Sequence, residues 1–263
     1  MGRPYCGTCG TYLGNGGIEC PVCAARAAAA VAQPDLSVQA EAGSIRSVLV
    51  FYFTLLATVL LGGIVQAVDT DKRHEVLIDL SVQLVMSAIT LVFCVLHWRV
   101  GVALLRGFAG FKWYLFAVLC PFVTVAGAEA FFAALGLMGD FQVIRYLDSF
   151  DAAGWSFLSA VLLIGVFPAV TEELAFRGVV LGVLEGLMES RSAILASAGM
   201  FSILHLSAVN IPHTFILGLV LAWLRLSTKS LYPGMLLHFL HNLFVISLEK
   251  MGEGSSWLSN MSL

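Results

Sequence analysis

RSVLVFYFTLLATVLLGGIVQAV, residues 46–68, decides the fold class: after Arg46 no charged residue occurs until Asp69. A run of about 20 apolar residues is the length of a membrane-spanning helix. Leu80–Leu96 and Trp113–Ala128 are further uncharged blocks of the same kind. The whole chain of 263 residues is 59% hydrophobic and 12% charged, with a mean hydropathy of +0.91. Soluble domains carry about a quarter charged residues, so a single water-soluble core does not account for this composition. The sequence therefore predicts an all-α, polytopic transmembrane helix bundle. The net charge of −3 gives no sign of nucleic-acid binding, and the expected surroundings are membrane lipid.

Seven spans are expected, at 47–68, 76–96, 113–138, 155–180, 193–209, 213–227 and 232–248. The first 25 residues are a small polar module and 26–45 an Ala-rich linker. Residues 46–250 form the bundle. Met1-Gly2-Arg3-Pro4-Tyr5-Cys6 lacks the apolar stretch of a cleavable signal, so the first apolar segment should stay in the membrane. Positive charge orients the bundle. With the amino terminus inside, Arg3, Arg26, Arg46, Arg99, Arg106, Lys112, Arg177, Arg191, Arg225 and Lys229 fall on inner segments. Lys72, Arg73, Arg145 and Lys250 fall on outer ones. The expectation is a cytoplasmic amino terminus in a plasma (inner) membrane, with the carboxyl terminus exterior.

Within the amino-terminal module, Cys6-Gly7-Thr8-Cys9 and Cys20-Pro21-Val22-Cys23 form two CxxC pairs. Each pair sits on a tight turn, so four thiolates can converge on one ion in the tetrahedral arrangement of structural zinc sites. The alternatives are disulfides, disfavoured in a reducing compartment, and unligated thiols. The module resembles a minimal zinc ribbon, with Cys6, Cys9, Cys20 and Cys23 as ligands of a structural zinc and a role in folding or protein docking. Cys94 and Cys120 read as small buried hydrophobes.

Ionisable groups inside membrane helices are costly and mark functional candidates. Three sets stand in the last four spans: Glu172-Glu173-Leu174-Ala175-Phe176-Arg177, Phe201 to His205, and His238 to Asn242. Glu173 and Arg177 are four apart and share a face, as an ion pair does. Glu172 is turned about 100° away from Glu173 and points elsewhere. Phe201 with His205, and His238 with Asn242, also share faces. A free carboxylate, two histidines and an amide converging between helices suit water activation: the carboxylate takes a proton, and donors stabilise an oxyanion. Each residue alone has the duller reading of a packing or hydrogen-bonding group.

The order EExxxR, FxxxH, HxxxN resembles the family of CAAX-processing and bacteriocin-processing (CPBP) intramembrane proteases, which includes CAAX prenyl endopeptidases and bacterial Abi proteins. Leu231-Tyr232-Pro233-Gly234 before His238 resembles that family's lead-in. The resemblance covers 155–250. It implies an endopeptidase in which Glu172 activates water with His205, His238 and Asn242 form the oxyanion hole, and Glu173, Arg177 and Phe201 support the site. The substrate implied is a membrane-associated peptide or protein.

Alternatives remain open at this level. Glu172, His205 and His238 have ligand types of a zinc peptidase, although the absence of an HExxH spacing weighs against a catalytic metal. A non-catalytic scaffold or immunity protein could keep the same fold. A transporter also places ionisable groups at mid-membrane, but no inverted repeat is visible. His241, about 60° round the helix from His238, reads as a packing histidine, with replacing or supplementing His238 as the alternative. His213, after Pro212, reads as a loop residue, and Glu129 as a cavity-lining or end-of-span charge. Gly178, Gly182 and Gly186 read as a packing stripe.

Overall fold

In the computed structural model the described residues are 5, 6, 9, 12, 20, 22–24, 44–69, 71–96, 105, 107–136, 145–208 and 210–253. The chain separates into two compact units, Met1–Glu41 and Ala42–Leu263. Of the first unit, an isolated antiparallel bridge joins Tyr5 to Tyr12, whose rings lie 5.2 Å apart.

Helices joined by short turns make up the described residues of the second unit. We label its helices α1 (Ile45–Val68), α2 (Lys72–Leu96), α3 (Phe111–Gly136), α4 (Leu147–Ala152), α5 (Phe157–Leu184), α6 (Ser190–Leu204), α7 (Ile211–Thr228) and α8 (Tyr232–Glu253). Ser44 caps α1, its hydroxyl accepting from the Ser47 N–H, which satisfies one of the orphan donors of a first turn. A water-facing turn follows: Asp71 binds Arg73 through both carboxylate oxygens, and those hydrogen bonds hold its carboxyl down at about 2. Gly154, at φ +71°, makes the left-handed turn from α4 into α5.

α1, α2, α5 and α7 are long and apolar enough to cross a bilayer, as is the Phe111–Ala128 part of α3. Each of the seven expected spans overlaps one helix (α1, α2, α3, α5, α6, α7 and α8), although α6 ends at Leu204 where the expectation ran to 209, and two of the helices fall short of that standard for identifiable reasons. α6 has 15 residues, about 22 Å of helix. α8 is long enough at 22 residues, but His238, His241 and Asn242 lower its hydropathy.

Outward positions such as Leu61, Ile64, Leu91, Val92 and Val123 are exposed. In water they would form a patch larger than monomers tolerate; lipid accepts them. Inside, one cluster joins Phe51 and Leu55 of α1 to Phe176, Val180, Leu184 of α5 and Phe201 of α6. A second joins Ala117 of α3, Leu217, Leu221 and Leu224 of α7, and Leu237 of α8. Lipid is as apolar as leucine, so shape-matched packing rather than escape from water holds such helices together. A Cβ on Gly62 would overlap Val82, which is how closely α1 and α2 approach.

α5 is not a regular helix. Val161–Val166 and Glu173–Val180 are π-helical, with a short α-helical piece, Phe167–Glu172, between them. π segments are rare, close i→i+5 bonds and concentrate at functional sites. One register change falls between Glu172 and Glu173, the two carboxylates of interest.

Candidate active site

Glu173 lies at the centre. It is 1% exposed, and its Oε1 is 3.0 Å from Arg177 Nη1 and 3.2 Å from His238 Nδ1. Arg177 is fully buried. Its Nη1 meets the carboxylate as an ion pair without hydrogen-bond alignment, while Nη2 donates to the Gly218 carbonyl at 3.2 Å. The guanidinium carbon lies 4.4 Å from the centre of the Phe201 ring, a cation–π contact that offsets part of its desolvation. The expected i,i+4 pairing is therefore present, and it persists through a π-helical segment because residues four apart remain neighbours there.

Glu172 has a different environment. Its side chain is 21% exposed, and its Oε2 is 3.8 Å from His238 Nε2. His238, itself 3% exposed, thus stands between the two carboxylates, with Nδ1 toward Glu173 and Nε2 toward Glu172. Because a carboxylate only accepts, Nδ1 carries a proton.

Phe201 is the partition of the site. It is 1% exposed and meets three rings edge-on: Phe176 at 5.3 Å, His205 at 4.9 Å and His238 at 5.8 Å. His205, just beyond the last residue of α6, is exposed. Its Nδ1 lies 2.9 Å from the Phe201 carbonyl. A carbonyl only accepts, so Nδ1 is the donor and the neutral ring keeps its lone pair on Nε2. Both histidines of the site thus contact the same aromatic ring.

Asn242 is partly committed. Its Nδ2 donates to the Ile164 carbonyl at 2.9 Å, in the first π-helical segment. One amide N–H remains for another acceptor. His241 is turned away, toward Thr124 Oγ1 at 2.9 Å and His213 Nε2 at 3.3 Å. This matches a satisfied packing histidine, not a replacement for His238. The expectation for His213 needs correcting: it lies in the first turn of α7, where Pro212 at an early position is well tolerated, and not in a loop. The Glu129 side chain lies outside the described residues.

Sequence reasoning noted Gly234 only as part of a lead-in and missed its role beside Glu173, and it missed Gly218 and Ile164 altogether. A Cβ on Gly234 would lie 3.0 Å from Glu173 Oε2, so glycine there gives the carboxylate its room. The other two contribute backbone carbonyls, which carry no residue-type signal.

In the amino-terminal unit, Cys6, Cys9, Cys20 and Cys23 place their sulfurs within 4.8 Å of one another, with Cys6–Cys23 at 3.7 Å and Cys9–Cys20 at 3.4 Å. A tetrahedron with Zn–S bonds of about 2.3 Å has edges of about 3.8 Å, so the four thiols fit one metal ion. Among the described residues this is the single set of three or more histidine, cysteine or acidic side chains that converges in this way. Glu172, His205 and His238 are not brought together as one ligand set.

These elements, a carboxylate pair divided by environment and bridged by a histidine, make residue-level sense of the comparison with known families. Residues 154–244 match the type II CAAX prenyl endopeptidase Rce1-like family. All of Glu172, Glu173, Arg177, Phe201, His205, His238 and Asn242 lie inside the matched segment. No curated protein and no solved structure matches the chain. The Rce1-like segment supports a CAAX-type membrane protease at the level of the family, and the amino-terminal unit and α1–α3 lie outside it.

Proposed function

We propose that this protein is an intramembrane endopeptidase that hydrolyses a peptide bond of a membrane-associated substrate with a water activated by Glu172. The observation that carries the reading is the division between the two carboxylates. Glu173 is spent on Arg177 and His238 in the interior, whereas Glu172 keeps partial exposure and no arginine.

In the proposed reaction Glu172 takes a proton from water as the water oxygen bonds to the carbonyl carbon of the substrate. His205, with its Nε2 lone pair toward the open side, orients that water. The carbonyl π electrons move to oxygen. The resulting oxyanion receives hydrogen bonds from the free N–H of Asn242 and from His238 Nε2 in its protonated form; with Glu172 now neutral, Glu173 and the oxyanion together balance the charges of Arg177 and His238. Collapse re-forms the carbonyl and breaks the C–N bond, and Glu172 returns its proton to the leaving amine. Glu173 holds His238 Nδ1, and Arg177 holds Glu173.

We further propose that the four thiolates of the amino-terminal unit hold a structural zinc, that this unit faces the cytoplasm and docks proteins, and that the host membrane is the plasma (inner) membrane. The test of the catalytic reading compares newly formed protein termini in membranes carrying the wild type or Glu172→Gln. Termini formed by the wild type and absent with Glu172→Gln are expected. The same termini at equal abundance in both would refute Glu172 as the base.

A further inference from the structure

The cluster of buried His241 with half-buried Thr124 and His213 has no part in the chemistry above. His241 is 2% exposed and precedes Asn242 on α8. Its Nε2 lies 3.3 Å from His213 Nε2 on α7, and its Nδ1 lies 2.9 Å from Thr124 Oγ1 on α3. The two imidazoles are stacked, with centres 5.4 Å apart and planes 24° from parallel. Two ring nitrogens at this distance share one hydrogen bond, one donating and the other accepting. Thr124 completes either direction, because its hydroxyl oxygen is also 3.2 Å from the Pro121 carbonyl. It donates to His241 when Nδ1 holds a lone pair, and to Pro121 when Nδ1 holds the proton. Both ring nitrogens of His241 are satisfied in each case.

A polar pair of this kind is a costly way to glue helices, since apolar side chains pack as well without desolvation. What it adds is direction, and its place gives that direction a use. His213 lies three residues after Asn210, which closes the turn that begins at His205. That turn is tied to the start of α7: Thr214 Oγ1 donates to the Asn210 carbonyl at 2.8 Å, and the Asn210 N–H to the Ser207 carbonyl at 3.0 Å. His241 stands on α8 between His238, which meets Glu172 and Glu173, and Asn242, which meets Ile164. The His213–His241 hydrogen bond therefore joins the segment carrying His205 to the helix carrying His238 and Asn242.

We infer that His213 and His241 are positioning residues, which set His205 against His238 and Asn242 for peptide-bond hydrolysis. The inference rests on the reading of Glu172, His205, His238 and Asn242 as the hydrolytic site. His213→Leu alone strands a buried nitrogen on His241, so it lowers stability whatever the role of the pair. The informative protein is the double variant His213→Leu/His241→Leu, in which both polar partners are gone and stability returns close to that of the wild type. If the pair positions His205, kcat on a verified peptide substrate falls about 10²-fold with KM nearly unchanged, the size of effect expected from a misplaced reacting group. In full-length protein with ¹⁵N-labelled histidine, the His205 ring signals, identified by their loss in His205→Gln, also shift in the double variant. A stable double variant with wild-type kcat, or with His205 signals unmoved, overturns the inference. Should the wild type cleave no substrate, the proposed function fails, and the His205 signals alone decide this inference: a shift supports it and no shift overturns it.

Discussion

Replacing Glu173 by glutamine separates the two carboxylates experimentally. Arg177 is fully buried and Glu173 is 1% exposed, so the change leaves a desolvated guanidinium without its counter-charge. Breaking a buried pair in this way costs about 3–5 kcal/mol. In the variant the glutamine amide turns so that its oxygen accepts from Arg177, and a hydrogen bond to a charged group recovers about 1.5 kcal/mol. The Gly218 carbonyl and the Phe201 ring touch Arg177 in both proteins and cancel. The net loss is about 2–3 kcal/mol, a fall in melting temperature of about 5–10 °C for a chain of this size. Glu172→Gln, at a side chain 21% exposed and 3.8 Å from His238, should cost less than about 1 kcal/mol. Both variants should lose cleavage. Thermal unfolding of purified protein in detergent, beside cleavage of a verified substrate, reads both quantities. If Glu173→Gln melts with the wild type, or Glu172→Gln loses as much stability, the division of labour between the carboxylates is wrong.

Gly234→Ala should push Glu173 Oε2 away from its present place, because the new methyl would stand 3.0 Å from it; activity should drop more than stability, and an unchanged kcat would show that the carboxylate has room to spare. Asn242→Ala removes an oxyanion donor and also the hydrogen bond to the Ile164 carbonyl, so kcat should fall about 10²–10³-fold with some loss of stability, whereas an effect confined to stability would assign Asn242 to the α5–α8 contact alone. Metal analysis of the purified full-length chain should find one zinc per molecule, lost in Cys6→Ser/Cys9→Ser; equal zinc in both proteins would refute the four-thiolate site. A reporter fused after Leu263 should read as exterior, and a cytoplasmic reading would mean that one of the seven helices fails to cross.

Much of the architecture was legible because it is local. Uncharged runs such as 46–68 announce lipid-facing helices whatever they pack against, since the bilayer itself acts as the selecting solvent. The pairs Glu173–Arg177, Phe201–His205 and His238–Asn242 were legible for the same reason: helical geometry alone brings residues four apart onto one face. The first and second pairs are in contact as that geometry requires. The two CxxC pairs likewise carry their meaning in spacing, and their sulfurs converge.

What only the tertiary structure decided is how those faces meet. His238 lies between both carboxylates, 65 positions from Glu173 along the chain. Asn242 reaches a carbonyl 78 positions away, and His241 finds Thr124 across 117. Such contacts depend on the rotation of each helix about its axis, which is set by packing against several neighbours at once and leaves no period in the sequence. The π-helical segments of α5 add to this, because they shift the register that an ideal helix would assign to Glu172, Glu173 and Ile164. Residue types and helical spacing thus marked Glu173 as the partner of Arg177 and Glu172 as the free carboxylate, while helix packing decided that His238 stands between the two and that Glu173 is sealed in the interior while Glu172 keeps partial exposure.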